Sequence, residues 1–163
     1  MPTLLIAHHS PTAHVAALRD ALHAGATDDA IEGVEVDVRA VADVEAAHLR
    51  GADGVVLLTP ANFGYMAGMV KDMFDRTFLE IGGALSDDGS GDGSGSGGGR
   101  KPYALCVHGR YDTAGAVQSV RTIVGALPWT QAAPVLSVLG DVDEAARAQA
   151  YELGGTLAAL LMP

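Results

Sequence analysis

Hydroxyls and imidazoles crowd one short stretch of the chain, His8-His9-Ser10-Pro11-Thr12-Ala13-His14-Val15. Ser10 and Thr12 can donate hydrogen bonds from their side chains. Ala13, His14 and Val15 can donate from the backbone where the stretch opens a helix, because the free N–H groups and dipole of a helix N-terminus favour an anion. That set suits a phosphate group; the plainer alternative is that Ser10 or Thr12 only caps the helix. Three histidines within seven residues also invite a metal, but no carboxylate lies near them in the sequence, and a strand followed by a loop would have to bring them together. A Ser-His-Asp hydrolytic set has no G-x-S-x-G turn to support it.

A second stretch, Thr59-Pro60-Ala61-Asn62-Phe63-Gly64-Tyr65-Met66, joins a rigid Pro and a permissive Gly to two aromatics. Phe63 and Tyr65 can flank a flat ring while Asn62 and backbone amides bond its polar edge. The alternative is an ordinary turn with both aromatics packed inward. A third stretch, His108-Gly109-Arg110-Tyr111-Asp112, brings an imidazole, a guanidinium and a phenol together.

The elements around these stretches follow from hydrophobic periodicity. Thr3 to Ala7 is a continuous apolar run, and Val15 to Leu22 has helical spacing with Arg19 and Asp20 outward. Val34 to Val38 alternates as a half-buried strand near a sheet edge does, Val44 to Leu49 allows a short helix, and Gly54 to Leu58 is a second continuous run. Met66 to Leu79 carries Met66, Met69, Val70, Met73, Phe74 and Thr77 on one stripe, with Asp72 and Arg76 paired on the other face. Strand Tyr103 to Val107, helix Thr113 to Leu127, strand Val135 to Leu139 and helix Asp143 to Leu161 complete the alternation. Continuous apolar strands alternating with helices imply an α/β domain: a parallel sheet with helices on both faces and ligands beyond the carboxyl ends of the strands. The three chemical stretches fall at those ends.

Ser86 to Gly99 holds only Ser, Asp and Gly and reads as a flexible insertion in a single domain spanning residues 1–163. Within it, Gly93 to Gly98 fits G-x-G-x-x-G formally, but no strand precedes it and no helix follows, so it is not a dinucleotide motif. The net charge of −10 and the 10 scattered Lys and Arg argue against nucleic acid. No apolar run approaches a membrane span or a signal-peptide core, so a cytoplasmic location is expected. Cys106, the sole cysteine, reads as a small core residue.

Ser10 to Val15 resembles the FMN phosphate loop of flavodoxin-like proteins. Thr59 to Met66, continuing to Lys71, Phe74, Asp75 and Arg76, resembles the second flavin loop and helix of flavodoxin-like NAD(P)H:quinone oxidoreductases. The resemblance implies a three-layer sandwich with a five-stranded parallel sheet in the order 2-1-3-4-5. It implies FMN as cofactor, with the phosphate on Ser10, Thr12, Ala13, His14 and Val15. The ring would be bordered by Pro60, Ala61, Asn62, Phe63 and Gly64 and closed over by His108, Gly109, Arg110, Tyr111 and Asp112. The leading expectation is an oxidoreductase passing hydride from NAD(P)H to a quinone or similar small acceptor, and a homo-oligomer is compatible with it. The alternatives are an electron carrier serving a redox partner protein and a flavin-free binding domain on the same scaffold. A phosphoacceptor receiver is set aside, since His8, His9 and Thr59 stand where it needs acidic residues.

Overall fold

A computed structural model of the chain describes residues 1–91 and 101–163. Its elements run β1 (Thr3–His8), α1 (Ala13–Ala26), β2 (Glu35–Ala40), α2 (Ala46–Gly51), β3 (Gly54–Asn62), β4 (Tyr65–Met66), α3 (Gly68–Thr77), β5 (Lys101–Gly109), α4 (Ala114–Val124), β6 (Trp129–Gln131), β7 (Leu136–Leu139) and α5 (Glu144–Ala159).

The continuous apolar runs have the cause expected of them. In β1, β3 and β5, alternate side chains enter opposite layers, and both layers are apolar. Leu5, Ala7, Val55, Leu57, Leu105 and Val107 join Val70, Met73, Phe74 and Val120 on one face. Leu4, Ile6, Val56, Leu58, Ala104 and Cys106 join Val15, Leu18, Leu22, Leu153 and Leu157 on the other. β2, at the edge, lies half exposed with polar residues in alternation.

Numbered along the chain, the seven-stranded sheet runs β2-β1-β3-β5-β6, with β4 on β3 and β7 on β5. The core order agrees with 2-1-3-4-5, but two details correct a count of five. β4 is a short antiparallel return on β3, pairing Ala61 with Met66 and Asn62 with Tyr65. The last strand is broken: β6 pairs Lys101 to Tyr103, and β7 pairs Cys106 to Gly109. Between those pairings, Ala132 to Val135 face only Ala104 and Leu105, so the surplus chain buckles, and Pro134 within it has no N–H to give a ladder.

Of the Ser/Asp/Gly stretch, residues 92–99 lie outside the described residues, and with them the Gly93 to Gly98 pattern. Ser86 to Gly91 form a tight turn instead of a featureless loop. Ser86 N–H donates to the Ser90 carbonyl at 2.7 Å, and Leu85 bridges to Gly91 beside Phe74 and Phe78. Among the described residues, no helix is long and apolar enough to cross a membrane.

Candidate functional site

β1, β3 and β5 are neighbours in parallel register, His8 beside Leu58 and Pro60 beside His108. Their carboxyl ends therefore bring the three sequence stretches to one edge of the sheet.

In the first loop Thr12 caps α1, its Oγ1 accepting from Val15 N–H at 3.3 Å while its carbonyl accepts from Ala16. The N–H groups of Thr12, Ala13 and His14 have no protein acceptor among the described residues, and all three residues are exposed. Val15 differs from expectation: its side chain is buried and its N–H is already committed to Thr12. Ala13 is the first residue of α1 with ordinary helical backbone, and Phe63 alone of the described non-glycine residues has positive φ, so Ala13 carries no strain. Ser10 is held by His8, whose Nδ1 lies 2.9 Å from Ser10 Oγ.

The second stretch is a β-hairpin. Phe63 and Gly64, at φ 51° and 75°, form its two-residue turn between Asn62 and Tyr65, the backbone that a right-twisted hairpin demands. Thr59, fully buried, pins the base: its Oγ1 donates to the Pro60 carbonyl at 2.8 Å and accepts from Ala67 N–H at 3.0 Å. Helix α4 supports the hairpin, with Ser119 Oγ accepting from Met66 N–H at 3.3 Å. Gly115 lies so close to the Gly64 carbonyl oxygen that a Cβ there would overlap it. The aromatics do not pack inward: Phe63 is fully exposed, with Tyr65 and Met69 partly so. Met69 thereby leaves the apolar stripe of α3. The remaining residues of that helix serve the scaffold. Lys71 pairs with Asp75 at 2.6 Å, Phe74 is core, and Arg76 donates to the Val44 and Val41 carbonyls at 3.0 and 3.1 Å.

The third loop touches the second through Gly109, where a Cβ would stand 3.3 Å from that of Ala61 and 3.0 Å from the Asp112 carbonyl oxygen. Asp112 accepts from Ala114 N–H at 2.9 Å and starts α4. Tyr111 is 83% exposed, with the Arg110 guanidinium 5.5 Å from its ring centroid.

A fourth loop completes the rim and was not anticipated. The turn after β7 places Gly140 and Asp141 beside His14, His108, Arg110 and Tyr111 around a cavity of about 310 Å³. The Gly140 carbonyl accepts from His108 Nε2 at 2.6 Å. Val142 N–H donates to His14 Nδ1 at 3.4 Å, which assigns the His14 proton to Nε2, 3.6 Å from Asp141. The two imidazole rings lie 5.4 Å apart. The position of Gly140-Asp141 at a strand's carboxyl end was the available signal; nothing in the sequence pointed to Gly115 or Ser119. Among the described residues, no three His, Cys, Asp or Glu side chains converge to hold a metal ion.

No family model matches the sequence, and no curated protein matches it. The backbone is another matter. It aligns with a flavodoxin from the domain Archaea at a TM-score of 0.76 and 17% identity, over 98% of both chains. The fold is flavodoxin-like. Oxidised flavodoxin 1 from Bacillus cereus aligns at 0.74 and 15% identity, over 96% of this chain and 97% of that one. A flavodoxin, WrbA-like protein from Agrobacterium tumefaciens aligns at 0.62 and 14%, over 99% and 98%.

Proposed function

We propose that the chain binds FMN and passes electrons through it. The observation that carries the reading is the meeting of a donor-rich helix start, Ser10 to His14, with two aromatic-bearing loops at adjacent strand ends. The residues present fit the group. Thr12, Ala13 and His14 offer N–H groups without protein acceptors among the described residues, and Ser10 adds a hydroxyl. An acidic protein that repels anions at long range needs such a local nest to hold a dianion.

When bound, the flavin ring supplies hydride and one-electron chemistry that no side chain here provides. The protein's share is to bind and orient. Pro60 to Gly64 and His108 to Asp112 would border the ring, and the exposed rings of Phe63 and Tyr111 would cover apolar surface that water otherwise contacts. The finer reading is an oxidoreductase taking hydride from NAD(P)H to a quinone or similar acceptor, supported by the cavity of about 310 Å³ lined by His14, the third loop and Gly140-Asp141. An electron carrier is favoured instead by the full exposure of Phe63, which suits contact with a partner protein. Both take residues 1–163 as one domain.

An absorbance spectrum of the purified protein, with FMN titration followed by flavin fluorescence, tests the shared part; a colourless protein that leaves the fluorescence unchanged sinks it. Steady-state NAD(P)H oxidation with a quinone then separates the two, since a carrier shows none.

A further inference from the structure

We infer that His8 is a positioning residue that sets the direction of the Ser10 hydroxyl and thereby matches the loop to a phosphate. The inference rests on the phosphate reading of that loop.

His8 is the last residue of β1, half-buried, with Nδ1 2.9 Å from Ser10 Oγ. Its Nε2 has no protein partner among the described residues. A serine hydroxyl has one proton to give. When Nδ1 is bare, that proton points at the ring and is lost to any ligand. When Nδ1 carries a proton, His8 donates, and the Ser10 proton is free to turn outward toward a phosphate oxygen. The neutral ring reaches either state by a change of tautomer, whereas the protonated ring permits only the second.

The surroundings poise this choice. Ala40 and Leu58 flank His8 on the adjacent strands and contribute no charge. Burial, then the charge of Arg19 on α1 and that of His9 next to it, hold the imidazole below its ordinary range, with Asp20 opposing. The ring is therefore mostly neutral near pH 7 in the free protein. A dianion facing Ser10 favours the proton on Nδ1 and raises the ring's affinity for a second one. Riboflavin lacks the phosphate and exerts no such pull.

The test is an NMR titration of the His8 imidazole in the full chain, alone, with FMN and with riboflavin. The His8 midpoint should rise with FMN and stay put with riboflavin. By linkage, the preference for FMN over riboflavin should then grow as pH falls through that midpoint. Ionisation of the phosphate itself is common to all variants, so His8→Leu and His8→Asn isolate the ring's part. His8→Leu should lose roughly tenfold in FMN affinity at pH 6 and remove the His8 part of the pH profile, leaving that of the phosphate. His8→Asn, whose amide N–H stands in for Nδ1–H at every pH, should recover most of the affinity with the His8 part of the profile still missing. Equal His8 midpoints with the two flavins, or an unchanged profile in His8→Leu, overturn the inference while FMN binding stands. If neither flavin binds the wild-type protein, the phosphate reading falls and takes the inference with it.

Discussion

Gly115, in the first turn of α4, packs against the carbonyl oxygen of Gly64 at the tip of the aromatic hairpin, leaving no room for a side chain. The contact couples the hairpin's position to the helix that follows the third loop. Gly115→Ala should push the tip away, costing about 1–3 kcal/mol as overpacking does. Urea denaturation should report that loss, and FMN titration should show weakened binding in protein that still folds.

The Ser10 to Val15 loop separates two roles by residue. Replacing Ser10 or Thr12 by Ala should weaken FMN by about 1.5–3 kcal/mol each while sparing riboflavin. Thr12→Ala should also lose about 1 kcal/mol of stability, because Thr12 Oγ1 caps α1 and Ser10 does not. Equal weakening of both flavins would place the phosphate elsewhere.

Phe63 holds a left-handed backbone at φ 51° with its ring in solvent, an arrangement that stability alone does not reward. Phe63→Gly should relieve about 1 kcal/mol of that strain and raise the melting temperature. Flavin affinity should fall at the same time. A variant that is more stable and binds as well as wild type would remove the ring from the site.

Burial pushes the Cys106 thiol from 9.0 up to about 12. A raised folded-state value means that the unfolded chain loses its proton first. The contribution to stability is complete below pH 9.0 and is lost as pH rises toward about 12. Thiol reagents should accordingly react at pH 8 only after denaturant is added, and Cys106→Ala should remove the group's share of the alkaline destabilisation.

Much of the scaffold was legible because a strand buried on both faces must be apolar throughout, and Leu4 to Ala7, Val55 to Leu58 and Ala104 to Val107 could be little else. The hairpin was not legible. Asn62 and Phe63 look like loop residues, and Tyr65-Met66 is too short to register as a strand; the left-handed turn, the Thr59 bonds and the close approach of α4 together fix the pairing. The break in the last strand was hidden for a related reason, since periodicity locates apolar residues but does not count residues between two ladders. Helix α3 shows the limit from the other side. Its apolar stripe was read correctly at Val70, Met73, Phe74 and Thr77, but Met66 belongs to β4 rather than the helix, and tertiary packing leaves Met69 at the surface. Tyr111 and Arg110 could be placed in the loop after β5, but their stacking on one another has no sequence signature.

The divided last strand also offers another copy of the chain little to pair with. An unpaired strand edge is a template on which another polypeptide can polymerise. Here β6 and β7 run only from Trp129 to Gln131 and from Leu136 to Leu139, with Pro134 between them, too short and too kinked to seed a continuous ladder. The opposite margin, β2, displays Glu35 and an Asp37–Arg39 ion pair. Both borders of the sheet are thus poor substrates for amyloid-like stacking, which keeps a chain with so much buried aliphatic surface from aggregating through its edges.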